Sequence, residues 1–473
     1  MSSKPAFLAL AGLCFARLSA QTPAPTDPII AIKAPVVVLT HARVIDGLGH
    51  APLENQTVVL RDGKIESIGP DLKIPDGATV RDLTGKSVLP GLVMVHEHLF
   101  YSSLAGGPFH VNEMEFSFPR LYLAAGVTSA RTTGSMEPYT DLEMKARIES
   151  GTSFGPKLHL TAPYFDGAGT GIPQLHAVAS PAAATRMVNY WADEGFTSIK
   201  VYINLPADIM AATITAAHAR GLQVTGHIGK VSYREAAGLG IDNLEHGFMA
   251  MSDLIPGRKP GDPSNALNTY RSIESLQPNS PEINGLISLL ISQHVTLTST
   301  LAIFETFTPG RRVASKAELD TLAPPLRESY LTRWAAINIQ NSKTSREAFA
   351  RDMQLEVKFF HAGGLLVAGT DPTGYGGCLA GYGNWRAIEL LVEAGLTPLE
   401  AIEVATHNGA KLLKIDAQTG SLEAGKAADL IIVNGNPSKN ISDLRKAEIV
   451  FKDGVGYDSQ KLFESVKGLV GIQ

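Results

Sequence analysis

Between residues 88 and 412 the chain repeats one rhythm: a short apolar run, then a longer segment of helical period. The runs are SVLPGLVMV, GVTSART, KLHLTAP, FTSIKVY, LQVTGH, IDNLEH, HVTLTST and GLLVAGTD. Segments between them include PAAATRMVNYWADEG, PADIMAATITAAHARG and SREAFARDMQLEVKFFHAGG. Short apolar runs read as strands buried on both faces, and strands separated by helices pair in parallel. Eight such units predict an α/β fold, a (β/α)8 TIM barrel. A doubly wound open sheet is the competing architecture. Its dinucleotide-binding version lacks support, because no GxGxxG opens a helix after an early strand.

Both flanks have β character. Residues 36–87 contain VVVLTHARVIDG, TVVLRDGKIESIG and ATVRDLTGKSVLP, with Asp62-Gly63 as a hairpin signal. Residues 413–473 return to it in TGSLEAGKAADLIIVNGNP and AEIVFKDGV. We expect the two ends to join in a small β-sandwich beside the barrel. Ile255 to Ser280, rich in Pro, Gly, Ser and Asn, is a candidate lid or wall, with disorder as the alternative.

The first 25 residues, MSSKPAFLALAGLCFARLSAQTPAP, have another character. A lysine precedes an apolar stretch too short to span a membrane, and small residues then lead to Ala20. This predicts a signal peptide over 1–20, a linker over 21–35, and export to the periplasm or beyond; an uncleaved tail is the alternative. Cleavage removes Cys14 and leaves Cys378 alone, so any metal needs His, carboxylate or Lys-derived ligands. A net charge of −5 with no Lys/Arg block gives no electrostatic reason to expect nucleic acid or an anionic membrane as partner. A small-molecule substrate is expected, and homo-oligomerisation stays open.

The chemistry concentrates at the ends of the apolar runs. In LVMVHEHL, His96 and His98 are two residues apart and face one side of a strand, while Glu97 faces the other. An HxH pair alone also suits an ordinary hydrogen-bonded strand end. Partners appear at matching places: His227 ends LQVTGH, His246 ends IDNLEH and Asp371 ends GLLVAGTD. A barrel delivers strand-end residues to its C-terminal face, and imidazole and carboxylate ligands suit zinc and related divalent ions. Lys200 ends GFTSIK. A lysine usually snorkels to solvent. Beside two cations it makes sense once CO2 converts its amine to an anionic carbamate, which burial of the neutral amine assists. Tyr202, two residues on, and His110, in the first strand-to-helix loop, are candidate substrate contacts.

PGLVMVHEHL, GVTSARTTG, GFTSIKVY, VTGH, DNLEHG, AGTDP and TGSLEAGKAADLIIVNGNP together resemble the amidohydrolase superfamily, in its imidazolonepropionase-like and Xaa-Pro dipeptidase-like branch. The resemblance implies two divalent metals, zinc by ligand type. His96 and His98 match ligands of the buried ion. Lys200 matches a carboxylated bridging lysine. His227 and His246 match ligands of the exposed ion, and Asp371 matches the last ligand and general base. It implies hydrolysis of an amide-type C–N bond by a metal-bridging hydroxide, in a dipeptide, Xaa-Pro, N-acyl amino acid or related carboxamide. A mononuclear cyclic-amide hydrolase or deaminase, and a lactonase, ester or phosphotriester hydrolase, are the alternatives. One departure is visible: Met94 stands where the family usually has Asp.

Overall fold

In the computed structural model, which describes residues 27–103, 110–172, 174–373 and 377–471, the chain opens with six strands. They are β1 Ile30–Ile32, β2 Val36–Val44, β3 Leu53–Arg61, β4 Lys64–Gly69, β5 Thr79–Asp82 and β6 Ser87–Pro90. The expected signal peptide lies outside the described residues. Eight parallel strands then follow at the eight apolar runs: β7 Leu92–Glu97, β10 Val127–Thr132, β11 Lys157–His159, β14 Ser198–Val201, β15 Gln223–Gly226, β16 Asn243–Glu245, β17 Thr296–Ser299 and β18 Leu366–Ala368. Between them lie a hairpin, β8 Phe100–Ser103 with β9 His110–Glu113, and two short strands, β12 Phe165–Asp166 and β13 His176–Ala177. The chain closes with β19 Leu430–Val433, β20 Ala447–Lys452 and β21 Val455–Asp458.

The parallel strands form two sheets, β11-β10-β7 and β13-β12-β14-β15-β16-β17-β18. Backbone hydrogen bonds link them at both ends. Thr370 and Asp371, just past β18, donate to the His96 carbonyl of β7 at 3.1 and 2.9 Å. Thr197 donates to Leu160 and Ala162 to Ser198, each at 2.9 Å, joining the continuation of β11 to β14. Helices pack outside, as the period predicts. Helix Pro181–Asp193 has Ser180 as its N-cap, accepting from the Ala183 N–H, with proline in its first turn.

Strands from both chain ends share one nine-stranded sheet, ordered β1-β21-β20-β19-β6-β2-β3-β4, with β5 on β2. The Asp62-Gly63 turn joins β3 to β4. Ile65 donates to the Lys426 carbonyl and Ala428 to that of Gly63, so the β4 edge meets the segment entering β19. Val37, Leu39, Val58, Leu60, Leu430, Ile432 and Phe451 pack into one apolar cluster of this sheet.

The run SVLPGLVMV does not form one strand. Its first four residues are β6 of the nine-stranded sheet, and only after Gly91 does the chain enter β7. The break has a steric cause. A Cβ on Gly91 would lie 2.1 Å from Thr128 Oγ1, and the Gly91 N–H donates to Asp429 at 3.0 Å. Periodicity does not register this close approach, because both halves are apolar. Nearby, Lys157 of β11 pairs with Asp429 at 2.9 Å and Asp453 at 2.6 Å, tying the two sheet systems together.

Residues 255–280 are structured, but none of them lines the cavity at the C-terminal ends of the strands, so the expected lid or wall over the site is not found. They include helix Ala266–Ser275, and Arg258 donates to the carbonyls of Gly229 and Lys230 in the loop after β15. Among the described residues no helix is long and apolar enough to cross a membrane.

Gly91→Val tests the junction. Overpacking against Thr128 is expected to cost about 1–3 kcal/mol and lower the thermal unfolding midpoint. An unchanged midpoint by calorimetry contradicts the assignment.

Candidate metal centre

Each candidate ligand stands at the C-terminal end of a parallel strand. His96 lies at the end of β7 and His98 just after it, Lys200 lies in β14, His227 and His246 follow β15 and β16, and Asp371 follows β18. All six line one cavity of about 240 Å³. His98 Nε2 lies 3.1 Å from Asp371 Oδ1, and His96 Nε2 lies 3.8 Å from the same oxygen. His246 Nδ1 is 3.9 Å from Asp371 Oδ2. The His96 and His246 ring centres are 4.7 Å apart, and those of His227 and His246 4.3 Å. His96, His98 and Asp371 can hold a metal ion, with ligand atoms all within 4.8 Å of one another. Two of the six have left-handed backbone: His246 at φ 72° and Asp371 at φ 51°. Such strain in residues other than glycine persists only where surrounding structure enforces it, and it concentrates at functional sites.

Burial sets the charge states. It pushes the His227 ring down to about 3, holds His246 well below its ordinary value and lowers His96 against the pull of Glu245 and Asp371. Neutral imidazole is the form that ligates metal. Burial pushes the Asp371 carboxyl up, but the His96, His98 and His246 rings outweigh it and hold the group well below the carboxylate range. The Lys200 amine is pushed down to about 8 by burial, against the carboxylates of Glu245 and Asp371. Its Nζ and His98 Nδ1 are buried without a hydrogen-bond partner among the described residues. Unpaired buried polar atoms beside an anion and three further imidazoles fit a site that receives cations and a ligand.

Behind these side chains lies a network the sequence reading missed. His96 Nδ1 is 2.7 Å from Glu245 Oε2, so its Nε2 is the nitrogen turned toward Asp371. Glu245 Oε1 accepts from Arg131 at 2.8 Å and from the Thr225 hydroxyl. Arg131 also donates to Asn243 at 2.7 Å and to the Val95 carbonyl at 2.8 Å. Burial pushes Glu245 up, yet His96, Arg131 and Lys200 hold it well below its usual range. A carboxylate on the far nitrogen of a ligating histidine fixes its tautomer and orientation. The signal was present in NLEH and SART, as charged residues inside apolar runs. Strand alternation sends Glu245 and His246 to opposite faces, and only the left-handed turn at His246 brings both to the site.

Glu97 faces away from the cavity, as alternation predicts. It accepts from Thr370 at 2.8 Å and from Asn384 of helix Tyr382–Ala394 at 2.9 Å. Burial pushes it up to about 8 despite these bonds. Tyr202 lines the cavity, with its ring 5.2 Å from that of His227 and 5.1 Å from that of Tyr164. His110 is not among the lining residues. It pairs with Ser103 at the far end of the β8–β9 hairpin, whereas Phe100 and Ser102 reach the cavity. The glycines at 374 and 376 lie outside the described residues.

Comparison with known proteins agrees with this layout. The sequence profile of the Amidohydrolase family matches residues 87–456. An imidazolonepropionase of Geobacillus sp. (strain WCH70) is 23% identical over 407 residues, 80% of this chain and 84% of that protein. A putative prolidase from Bifidobacterium longum superposes with a TM-score of 0.66 at 25% identity, covering 93% of this chain and all of the other. A Xaa-Pro dipeptidase with bound methionine gives 0.67 at 22% identity, covering 89% and 100%. The profile spans most of the chain, including all six strand-end residues: the protein belongs to the amidohydrolase family and is a hydrolase acting on carbon–nitrogen bonds.

Proposed function

We propose that this is an exported two-metal amidohydrolase that cleaves the amide bond of a dipeptide, Xaa-Pro substrate, N-acyl amino acid or related carboxamide. The observation that carries the reading is the convergence of four histidines, an ionised Asp371 and the buried Lys200 amine, which has no hydrogen-bond partner among the described residues, on one cavity. His96, His98 and Asp371 would hold one ion and His227 and His246 the other. Lys200, N-carboxylated by CO2, would bridge them. Divalent ions there, zinc by ligand type, supply Lewis acidity and activate water at neutral pH. The relatives' names, imidazolonepropionase and Xaa-Pro dipeptidase, support an amide-type substrate.

The chain's own groups supply the proton transfers. Asp371, ionised and at the cavity wall, accepts the proton of the attacking water and returns it to the departing nitrogen. Burial pushes the Tyr202 phenol up, so it stays protonated and donates to a substrate oxygen. Cavity walls at Phe100, Ile172 and Phe307 limit competing water.

The architecture proposed for this function is a closed (β/α)8 barrel over 88–412 with a β-sandwich from 36–87 and 413–473. The hydrogen bonds joining β18 to β7 and β11 to β14 support closure, and those of β4 to 426–428 support the sandwich. Residues 1–20 would be the signal peptide and 21–35 the linker. The tight His96–His98–Asp371 group by itself suits a single ion, which favours a second reading, a mononuclear cyclic-amide hydrolase. A lactonase or phosphotriester hydrolase would use the same groups.

Metal analysis separates the first two readings. Two ions per chain are expected, falling to one or fewer in Lys200→Ala; one ion in both proteins overturns the two-metal reading. A hydrolysis screen of dipeptides, N-acyl amino acids, carbamates, lactones and phosphotriesters with metal-reconstituted protein tests the substrate class, and activity confined to lactones or phosphotriesters contradicts it. Asp371→Asn and His227→Ala are each expected to fold and lose roughly 10²–10⁴-fold in kcat. Near-normal turnover in either refutes its assigned role. Glu245→Gln is expected to weaken metal affinity about 10–100-fold through His96; unchanged affinity by competition with a chelator removes that role.

A further inference from the structure

A second cavity, of about 530 Å³, lies beside the first. Met136 and Tyr164 line both. At about 240 Å³ the catalytic cavity is smaller than the 300–1,000 Å³ that small-molecule sites usually occupy, whereas its neighbour falls inside that range. The two share an apolar wall. One cluster runs from Tyr202, beside His227, through Tyr164 and Met136 to Leu175, on the wall of the second cavity. Tyr164 is held in place: a Cβ on Gly134, whose φ is +100°, would lie 2.4 Å from its ring. Met136 is half-buried and unbranched, so a change of its rotamer can open the shared wall. The second cavity continues over Met187 and Trp191, with the exposed Arg186 at its margin.

We infer that the substrate carries a bulky apolar group, aromatic in the best fit, which passes Met136 and Tyr164 to occupy the second cavity, with Arg186 placed for a carboxylate. The inference rests on the amidohydrolase reading above and names the substrate class of that same site. The walls suit an amphipathic occupant with an apolar body: Pro163, Leu175, Met187 and Trp191 offer apolar and aromatic surface, beside the polar Gln174, His176 and Arg186. An acyl-proline alone would leave this space unused.

The test combines turnover with binding. N-acetylglycine, N-acetylphenylalanine and N-phenylacetylglycine place a phenyl group on neither side, the amine side or the acyl side of one amide bond. One of the phenyl amides is expected to exceed N-acetylglycine roughly tenfold or more in kcat/KM. Met187→Trp, which narrows the second cavity, is expected to weaken that preference through KM and leave N-acetylglycine turnover unchanged. Equal kcat/KM for all three amides, or a preference unchanged by Met187→Trp, overturns the inference. 3-Phenylpropanoate serves as a probe that needs no turnover. It is expected to change tryptophan emission in the wild-type protein and not in Trp191→Phe. If it does so and no amide is cleaved, the cavity assignment stands and the amide reading falls. If N-acetylglycine is cleaved, no phenyl preference exists and the probe leaves emission unchanged, the amide reading stands and this inference falls.

Discussion

The Glu245 carboxylate is the group on which the site's order depends. It is fully buried, and a buried charge is costly unless opposite charge and hydrogen bonds surround it. Arg131 of β10, Thr225 of β15 and His96 of β7 supply them, so one carboxylate ties four strands at their C-terminal ends. Removing Arg131 leaves the buried carboxylate without its cationic partner. The arrangement therefore selects one ring orientation for His96, with Nε2 facing Asp371. The other candidate ligands are positioned against that ring: His246 lies beside it, and Asp371 donates its backbone N–H to the His96 carbonyl.

A second buried carboxyl group acts on the opposite face of β7. Glu97 binds Thr370 and Asn384, which holds the turn carrying Asp371 against helix Tyr382–Ala394. The HEH triplet thus has two jobs on two faces. Its histidines face the cavity, while its glutamate fixes the loop that delivers the last candidate ligand. The left-handed backbone at Asp371 is tolerable because it is held from both sides.

The strand runs and their order were legible in the sequence, because burial on both faces writes a continuous apolar run and the intervening helices write a period of 3.6. The six strand-end candidates were legible for a related reason: polar residues ending such runs are unusual unless they face a common site. Three things were not. The split of SVLPGLVMV at Gly91 depends on the approach of Thr128 and Asp429, distant in sequence. His110 had the right loop but the wrong end of its hairpin, and register cannot be read from composition. The Arg131–Glu245 network joins residues more than a hundred positions apart.

By itself, then, the sequence determined which residue types reach the strand ends, the parallel character of the strands around them and the family to which they point. Each of these is a local pattern or an ordered set of patterns. Tertiary structure decided which nitrogen His96 turns to the cavity, how Glu245 and His246 serve one site from adjacent positions, and that a second apolar space adjoins the first. These depend on distances between segments far apart in the chain. Such distances are settled only when the buried charges and close backbone contacts are satisfied together.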